Sequence, residues 1–406
     1  MAGQDDGRGV QQEVGRRRRR KHGRLDKALA LLKQLIAVDS INPSLVPGAA
    51  GEAAIARTIA EAMRGMGLTV ETQDVAPGRP NVVGTLEGRM PGRSLMFCGH
   101  IDTVGVTGMQ SPFDPVERDG RIYGRGSQDM KSGVAAMIDA ARVIAESGGL
   151  AAGKLVIACV VDEEHASIGA DALVTRWRAD AAVVTEPTDL QIAIAHKGFE
   201  WVEIETEGRA AHGSRPREGR DAIRLMARVL TELDTLDRNL QSRASHPLLG
   251  TASLHASLIE GGRELSSYPD RCHLQMERRS IPGESPGIAA REVEAILAHL
   301  RAGDADFKAA SKGMFARSPY EIAADHELPQ AMLRAHRTSA PEHPSTAAPI
   351  GMSFWTDAAI LGDAGIPSIL FGPTGAGLHS VDEWVEAQSV LTCRDALVNL
   401  SRDWCR

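Results

Sequence analysis

The chain is poor in aromatic residues, poor in cysteine and free of long apolar runs. Phe, Trp and Tyr make up only 4% of its 406 residues. Ala, Leu, Ile and Val must therefore build the core, and the scarcity of rings argues against stacking platforms for single-stranded nucleic acid. The five cysteines (Cys98, Cys159, Cys272, Cys393, Cys405) are odd in number and form no CxxC pair. That excludes a disulfide framework and a cysteine-type zinc finger, and it fits a reducing cytoplasm. No segment approaches the ~18–20 uninterrupted apolar residues of a membrane span, so no membrane association is expected.

What is present is the composition of a soluble globular protein, 43% apolar and 24% charged, with room for roughly two or three domains. The formal charge of −7 is uneven, because residues 1–22 hold seven basic groups against three acidic ones and leave −11 on the remainder. An acidic body does not attract phosphate backbones, so nucleic acid is not an expected partner. Residues 1–22 read as a disordered basic arm. In the next segment Leu25, Leu29, Leu32, Leu35 and Ile36 share a helical face while Asp26, Lys27, Lys33 and Gln34 interrupt it. That pattern is an amphipathic core helix and not an export signal.

The body alternates in an α/β manner. Helices are predicted over 24–37, 51–66, near 130–147 and near 169–178, with strands at LTVETQDV, NVVGTLEG, SLMFCGH, KLVIACVV and AAVVTEP. Glycine-bounded β-rich runs alternating with helices predict a mixed or parallel sheet covered on both faces. From Phe199 the order becomes β-α-β-β-α-β, the split, ferredoxin-like unit. The first rhythm resumes with helices 327–337, 355–364 and 386–404 and the strand IPSILFGP. The organisation expected is one α/β domain, 23–197 plus 316–406, interrupted by an inserted α+β domain, 198–315.

Chemistry gathers where strands end. SLMFCGHIDTV places His100 and Asp102 two apart, on one side of an extended segment. Asp102 either holds the imidazole of His100 directly or serves beside it. IYGRGSQDMK brings Asp129 to the start of a helix, where it or Ser127 could equally be a cap. VIACVVDEEH carries charge out of a buried strand, with adjacent Glu163 and Glu164 pointing different ways. AAVVTEPTDL delivers Glu186, and the glycine-rich loop after IPSILFGP carries His379. Together these N and O donors suit zinc, or else cobalt or manganese.

The five clusters, in this order and with an insertion after the fourth, resemble the dinuclear zinc amidohydrolases. That family includes acetylornithine deacetylase, succinyl-diaminopimelate desuccinylase, aminoacylase and the glutamate carboxypeptidases. The resemblance covers about 24–406, and HxD…GRGSxDMK…DEE…EPT…H is a highly specific combination. It implies a zinc-peptidase-like catalytic domain whose inserted domain serves as lid and dimer interface. It implies two divalent ions, with His100 and Glu186 on one, Glu164 and His379 on the other, and Asp129 bridging. Glu163 would be the general base and Asp102 the support of His100. His212, in AAHGSRP, would reach across a homodimer to the partner's oxyanion, and Arg279 of ERRSIPGE would hold a substrate carboxylate.

Two departures stand out. Ser266 of GRELSSYPD occupies the position where the family commonly has a substrate-contacting asparagine. Phe354-Trp355, ahead of Thr356-Asp357, replaces small residues and narrows the pocket. The expected activity is hydrolysis of the amide of an N-acyl amino acid by a zinc-activated water, as in a deacetylase or desuccinylase. A carboxypeptidase or dipeptidase acting on short peptides is the alternative. A non-catalytic polyanion-binding protein acting through the basic arm is the distant third.

Overall fold

The computed structural model describes residues 26–339 and 348–406, so the arm assigned to 1–22 lies outside the described residues. Helix α1 (Lys27–Ile36) starts at Asp26, whose carboxylate accepts from the Ala28 N–H, and buries Leu29, Leu32, Leu35 and Ile36. Helix α2 (Ala53–Gly65) ends before Gly67, whose φ of 85° closes the turn at little steric cost. Strands β1 (Thr69–Ala76), β2 (Arg79–Glu87) and β3 (Ser94–His100) follow, then a short hairpin of β4 (Val116–Arg118) and β5 (Arg121–Tyr123). Helix α3 (Lys131–Glu146), β6 (Lys154–Val160), α4 (Ile168–Arg176), β7 (Ala181–Val184) and β8 (Ala193–His196) complete the first half.

A second unit runs β9 (Gly198–Glu207), α5 (Ala222–Ser242), β10 (Ser253–Gly261), β11 (Arg271–Ser280), α6 (Ile288–Gly303) and β12 (Ala309–Arg317). Its antiparallel sheet has the order β10-β11-β9-β12. Val202, Ile204, Leu274 and Met276 pack there against Met226, Val229, Val293 and Leu297 of the two helices. The chain then returns through β13 (Tyr320–Glu321), α7 (Glu327–Ser339), β14 (Ile350–Met352), α8 (Ala358–Asp363), β15 (Ser368–Leu370), β16 (Gly375–Ala376), β17 (Trp384–Glu386) and α9 (Ala387–Trp404).

The large sheet has nine strands, β1-β2-β6-β3-β7-β15-β8-β13 with β14 beside β8. Its centre, β6-β3-β7-β15, is parallel, and β1 and β2 are antiparallel at one edge. Central strands are buried on both faces, and the apolar runs SLMFCGH and KLVIACV show this directly. Helix α3 lies so close that a Cβ on Gly133 would stand 2.0 Å from the Thr185 carbonyl, beside the strand end that carries Glu186. The short strands β4, β5, β8, β13, β14, β16 and β17 lie outside the predicted elements, because two to four residues carry no readable periodicity. The helix expected over 355–364 is only Ala358–Asp363, since Phe354 to Asp357 form a loop beside the cleft.

Candidate metal centre and active site

Parallel pairing delivers three of the clusters to one edge. β3 pairs with β6, His100 opposite Val160, and with β7, Cys98 opposite Val184, so the three strands end together. His100 ends β3, the Asp162–Glu164 turn follows β6 and Glu186 follows β7. Asp129 stands two residues before α3. His379, at a left-handed φ of 58°, lies in the loop between β16 and β17.

The side chains converge. His100 Nε2 lies 3.0 Å from Asp129 Oδ1 and 3.9 Å from both Glu186 Oε1 and Glu163 Oε2. His379 Nε2 lies 3.0 Å from Glu164 Oε2 and 3.3 Å from Asp129 Oδ2. Two donor groups result, His100–Asp129–Glu186 and Asp129–Glu164–His379, each with its ligand atoms within 4.8 Å of one another. Asp129 belongs to both, one oxygen turned to each histidine. The first group is largely buried and the second opens to solvent at His379.

The electrostatics match a place for cations. Burial, reinforced by the neighbouring carboxylates, raises Glu163 and Glu186 well above the usual carboxylate range, against the opposing pull of His100. Burial and the nearby Asp129 take Glu164 to about 7, opposed by His379. His379, bonded to Asp129 and Glu164, is raised to about 10. Burial opposes a proton on His100, yet the Asp102 and Asp129 carboxylates hold it well above the ordinary imidazole value. Carboxylates this crowded need positive charge between them, and neutral imidazole with carboxylate oxygen is a donor set for zinc-like divalent ions.

Asp102 does more than face His100. The shorter contact of His100 Nδ1, 3.1 Å, is to the Asp102 main-chain carbonyl, and the carboxylate is 3.6 Å away. That carboxylate accepts from the backbone N–H groups of Glu163 and Glu164, each at 3.2 Å, and from Asn42 Nδ2 at 2.8 Å. Asn42 also donates to Asp162, which pairs with the buried Arg79, itself paired with the buried Glu52. Glu383 accepts from Arg125 and from the backbone N–H groups of Gly126, Gln128 and Asp129. These holders of the site escaped the sequence reading. Glu52 and Arg79 are far apart along the chain with no pattern joining them, whereas Glu383, four residues after His379, offered a signal in its neighbourhood.

The second sheet contributes unevenly. Arg279 lines a cavity of about 200 Å³ together with Glu163, Glu164 and His379. Ser266 and His212 sit on two exposed turns joined by the Gly213 N–H donating to the Ser266 carbonyl at 2.7 Å. His212 Nδ1 lies 2.8 Å from Ser214 Oγ, and neither His212 nor Ser266 is among the described residues that line the cavity.

The fold and this paired donor set define a metallohydrolase. Residues 96–403 match the model of Peptidase family M20/M25/M40, and the chain belongs to that family. It is 29% identical to the N-formyl-4-amino-5-aminomethyl-2-methylpyrimidine deformylase of Bacillus subtilis (strain 168), over 88% of this chain and 91% of that protein. It is also 29% identical to the acetylornithine deacetylase of Proteus mirabilis (strain HI4320), over 94% and 98%. A tripeptidase structure from Staphylococcus aureus subsp. aureus Mu50 shares the fold, with a TM-score of 0.77 at 21% identity over 94% of this chain and 98% of that one. The chain is a hydrolase of the amide and peptide bond class. Among the described residues no helix is long and apolar enough to cross a membrane.

Proposed function

We propose that this protein is a cytoplasmic homodimer that hydrolyses the amide of N-acyl amino acids with two divalent ions, most readily zinc, with cobalt or manganese as substitutes. The observation that carries the reading is Asp129 shared between two three-residue donor groups, with Glu163 Oε2 3.9 Å from His100 Nε2. His100 and Glu186 would hold one ion, Glu164 and His379 the other. Bound there, the cations supply an acidified water and polarisation of the amide carbonyl.

The remaining work belongs to side chains. Glu163 takes a proton from the attacking water and returns it to the amine nitrogen as the carbon–nitrogen bond breaks, acting as base and then acid. Asp102 positions Glu163 and Glu164 through their N–H groups. Arg279 fits a substrate carboxylate with a two-pronged guanidinium. His212, absent from its own chain's cavity, donates to the oxyanion in the partner subunit, and Ser266 stands beside it on the neighbouring turn. Support for the dimer comes from β10, an edge strand exposed from His255 to Gly261, with Leu258 66% and Ile259 56% exposed.

A panel of N-acetyl and N-succinyl amino acids and dipeptides, hydrolysed before chelation, after it and after zinc return, tests the reading. Activity indifferent to the chelator overturns it. Dipeptides cleaved in preference to every N-acyl amino acid would move it to a peptidase.

A further inference from the structure

Five of the fifteen aromatic residues gather at one place. Phe199, Trp201, Phe315, Phe354 and Trp355 all line the cavity that contains Glu163, Glu164 and His379. Three of them lie on the face of the second sheet turned away from its two helices. Phe199 and Trp201, two apart on β9, point to the same side. Register sets Arg279 and Arg317 opposite Phe199, and Glu277 and Phe315 opposite Trp201.

The rings touch edge to face and at a tilt, with centroids 5.3 Å apart for Phe199–Trp201, 5.6 Å for Trp201–Phe315 and 6.0 Å for Phe199–Trp355. Arg279 stands over Phe199 at 5.4 Å and Arg317 over Phe315 at 5.1 Å. Further along the same face β9 offers Glu203, Glu205 and Glu207, paired with Gln275, Arg271, His273 and Lys308. Along β9 the apolar residues of this face are thus confined to the end beside the donor groups. Phe199 and Trp355 are buried, and their packing joins the two sheets. Trp201, Phe315 and Phe354 are only half-buried and turn toward the cavity. Half-exposed rings gathered at a concave polar-rimmed site mark a place for an apolar ligand group.

We propose that this wall makes the enzyme selective for N-acyl amino acids whose amine half carries a flat aromatic ring, with Trp201 and Phe315 as the specificity-determining residues. The proposal rests on the amide-hydrolase reading above. The ring is placed on the amine half because Arg279 is part of the wall. Its Nε is taken by Glu277 at 2.6 Å, and its terminal nitrogens make no hydrogen bond among the described residues, leaving them for the α-carboxylate. A ring two carbons from that carboxylate, as in phenylalanine, falls against the neighbouring Phe199–Trp201–Phe315 surface.

The test compares kcat/KM of the zinc-loaded full-length protein for N-acetyl-L-phenylalanine, N-acetyl-L-alanine, N-acetyl-L-ornithine and N-benzoyl-L-alanine. We expect N-acetyl-L-phenylalanine to exceed N-acetyl-L-alanine and N-acetyl-L-ornithine by about 10-fold or more. Trp201→Ala and Phe315→Ala should pull that ratio toward unity, while Trp201→Phe keeps most of it. Should an alanine variant fail to fold, saturation-transfer NMR on Glu163→Gln reads the same contact. There the ring protons of N-acetyl-L-phenylalanine should receive more saturation than its acetyl methyl. Equal or better use of the ornithine or alanine substrate overturns the proposal while leaving the hydrolase reading intact, and a preference for the benzoyl substrate overturns the placement of the ring. Hydrolysis of none of the four would count against the hydrolase reading itself.

Discussion

In the nine-stranded sheet the candidate site residues leave strand ends, whereas in the four-stranded sheet they lie across a strand face and on two outlying turns. The first arrangement is complete within one chain. β3, β6 and β7 end side by side, so His100, the Asp162–Glu164 turn and Glu186 need only short loops to meet Asp129 and His379. The second arrangement is divided. Its face supplies Arg279 and the aromatic wall to the cavity of the same chain, while His212 stays exposed and outside it. The difference teaches that the two donor groups and Glu163 come together within one chain, whereas the oxyanion role proposed for His212 would need a second copy.

That division can be broken experimentally. The largest effect should come from Glu163→Gln, which removes the proposed proton acceptor and leaves the donor groups standing. We expect kcat to fall by about 10²–10⁴ with unchanged metal content by elemental analysis. A variant of nearly full activity would remove Glu163 from the mechanism. Next comes Arg79→Met, which leaves Glu52 and Asp162 buried without their partner. Denaturant unfolding should show a loss of about 3–5 kcal/mol, and a shift under 1 kcal/mol would mean that the buried chain of ion pairs does not hold the Glu163–Glu164 turn.

His212→Ala should lower kcat by about 10²–10³ with a normal pH profile for proton transfer. Mixed with Glu163→Gln, it should recover activity in hybrid dimers, since one intact site then contains Glu163 of one chain and His212 of the other. No recovery in demonstrated hybrids would place His212 outside the partner's site.

The smallest effect concerns stability of the metal-free protein. Glu164 is raised to about 7 and His379 to about 10, each above its unfolded value. Both therefore contribute stability that is full at low pH and is lost as pH rises through those values. The Tm of chelated protein should fall between about pH 5 and 9, and added zinc should stabilise increasingly with pH as the ligands give up protons. A chelated Tm that rises over the interval would contradict the crowding of carboxylates described above.

Much of this was legible in the chain. SLMFCGH, KLVIACVV and AAVVTEP read as buried strands because they are, and the charge that follows each one marked the site edge. The split order of β9 to β12 was readable from periodicity as well. Asn42, Arg79 and Glu52 were not, since a buried ion pair between residues far apart in sequence leaves no local pattern. The Phe354-Trp355 departure was visible as a narrowing of the pocket, but its place in an aromatic wall needed the register of β9 against β11 and β12.

The sequence by itself determined the class of chemistry. Donor types, their order and their position after apolar runs are local properties, written where strands end. Only the tertiary structure decided that Asp129 turns one oxygen to each histidine and that the Asp102 carboxylate carries the Glu163–Glu164 turn. It alone gathered five of the few aromatic rings around one cavity. Those facts depend on which strands lie side by side, and pairing between distant segments is settled by packing the whole core, which no single stretch of residues encodes.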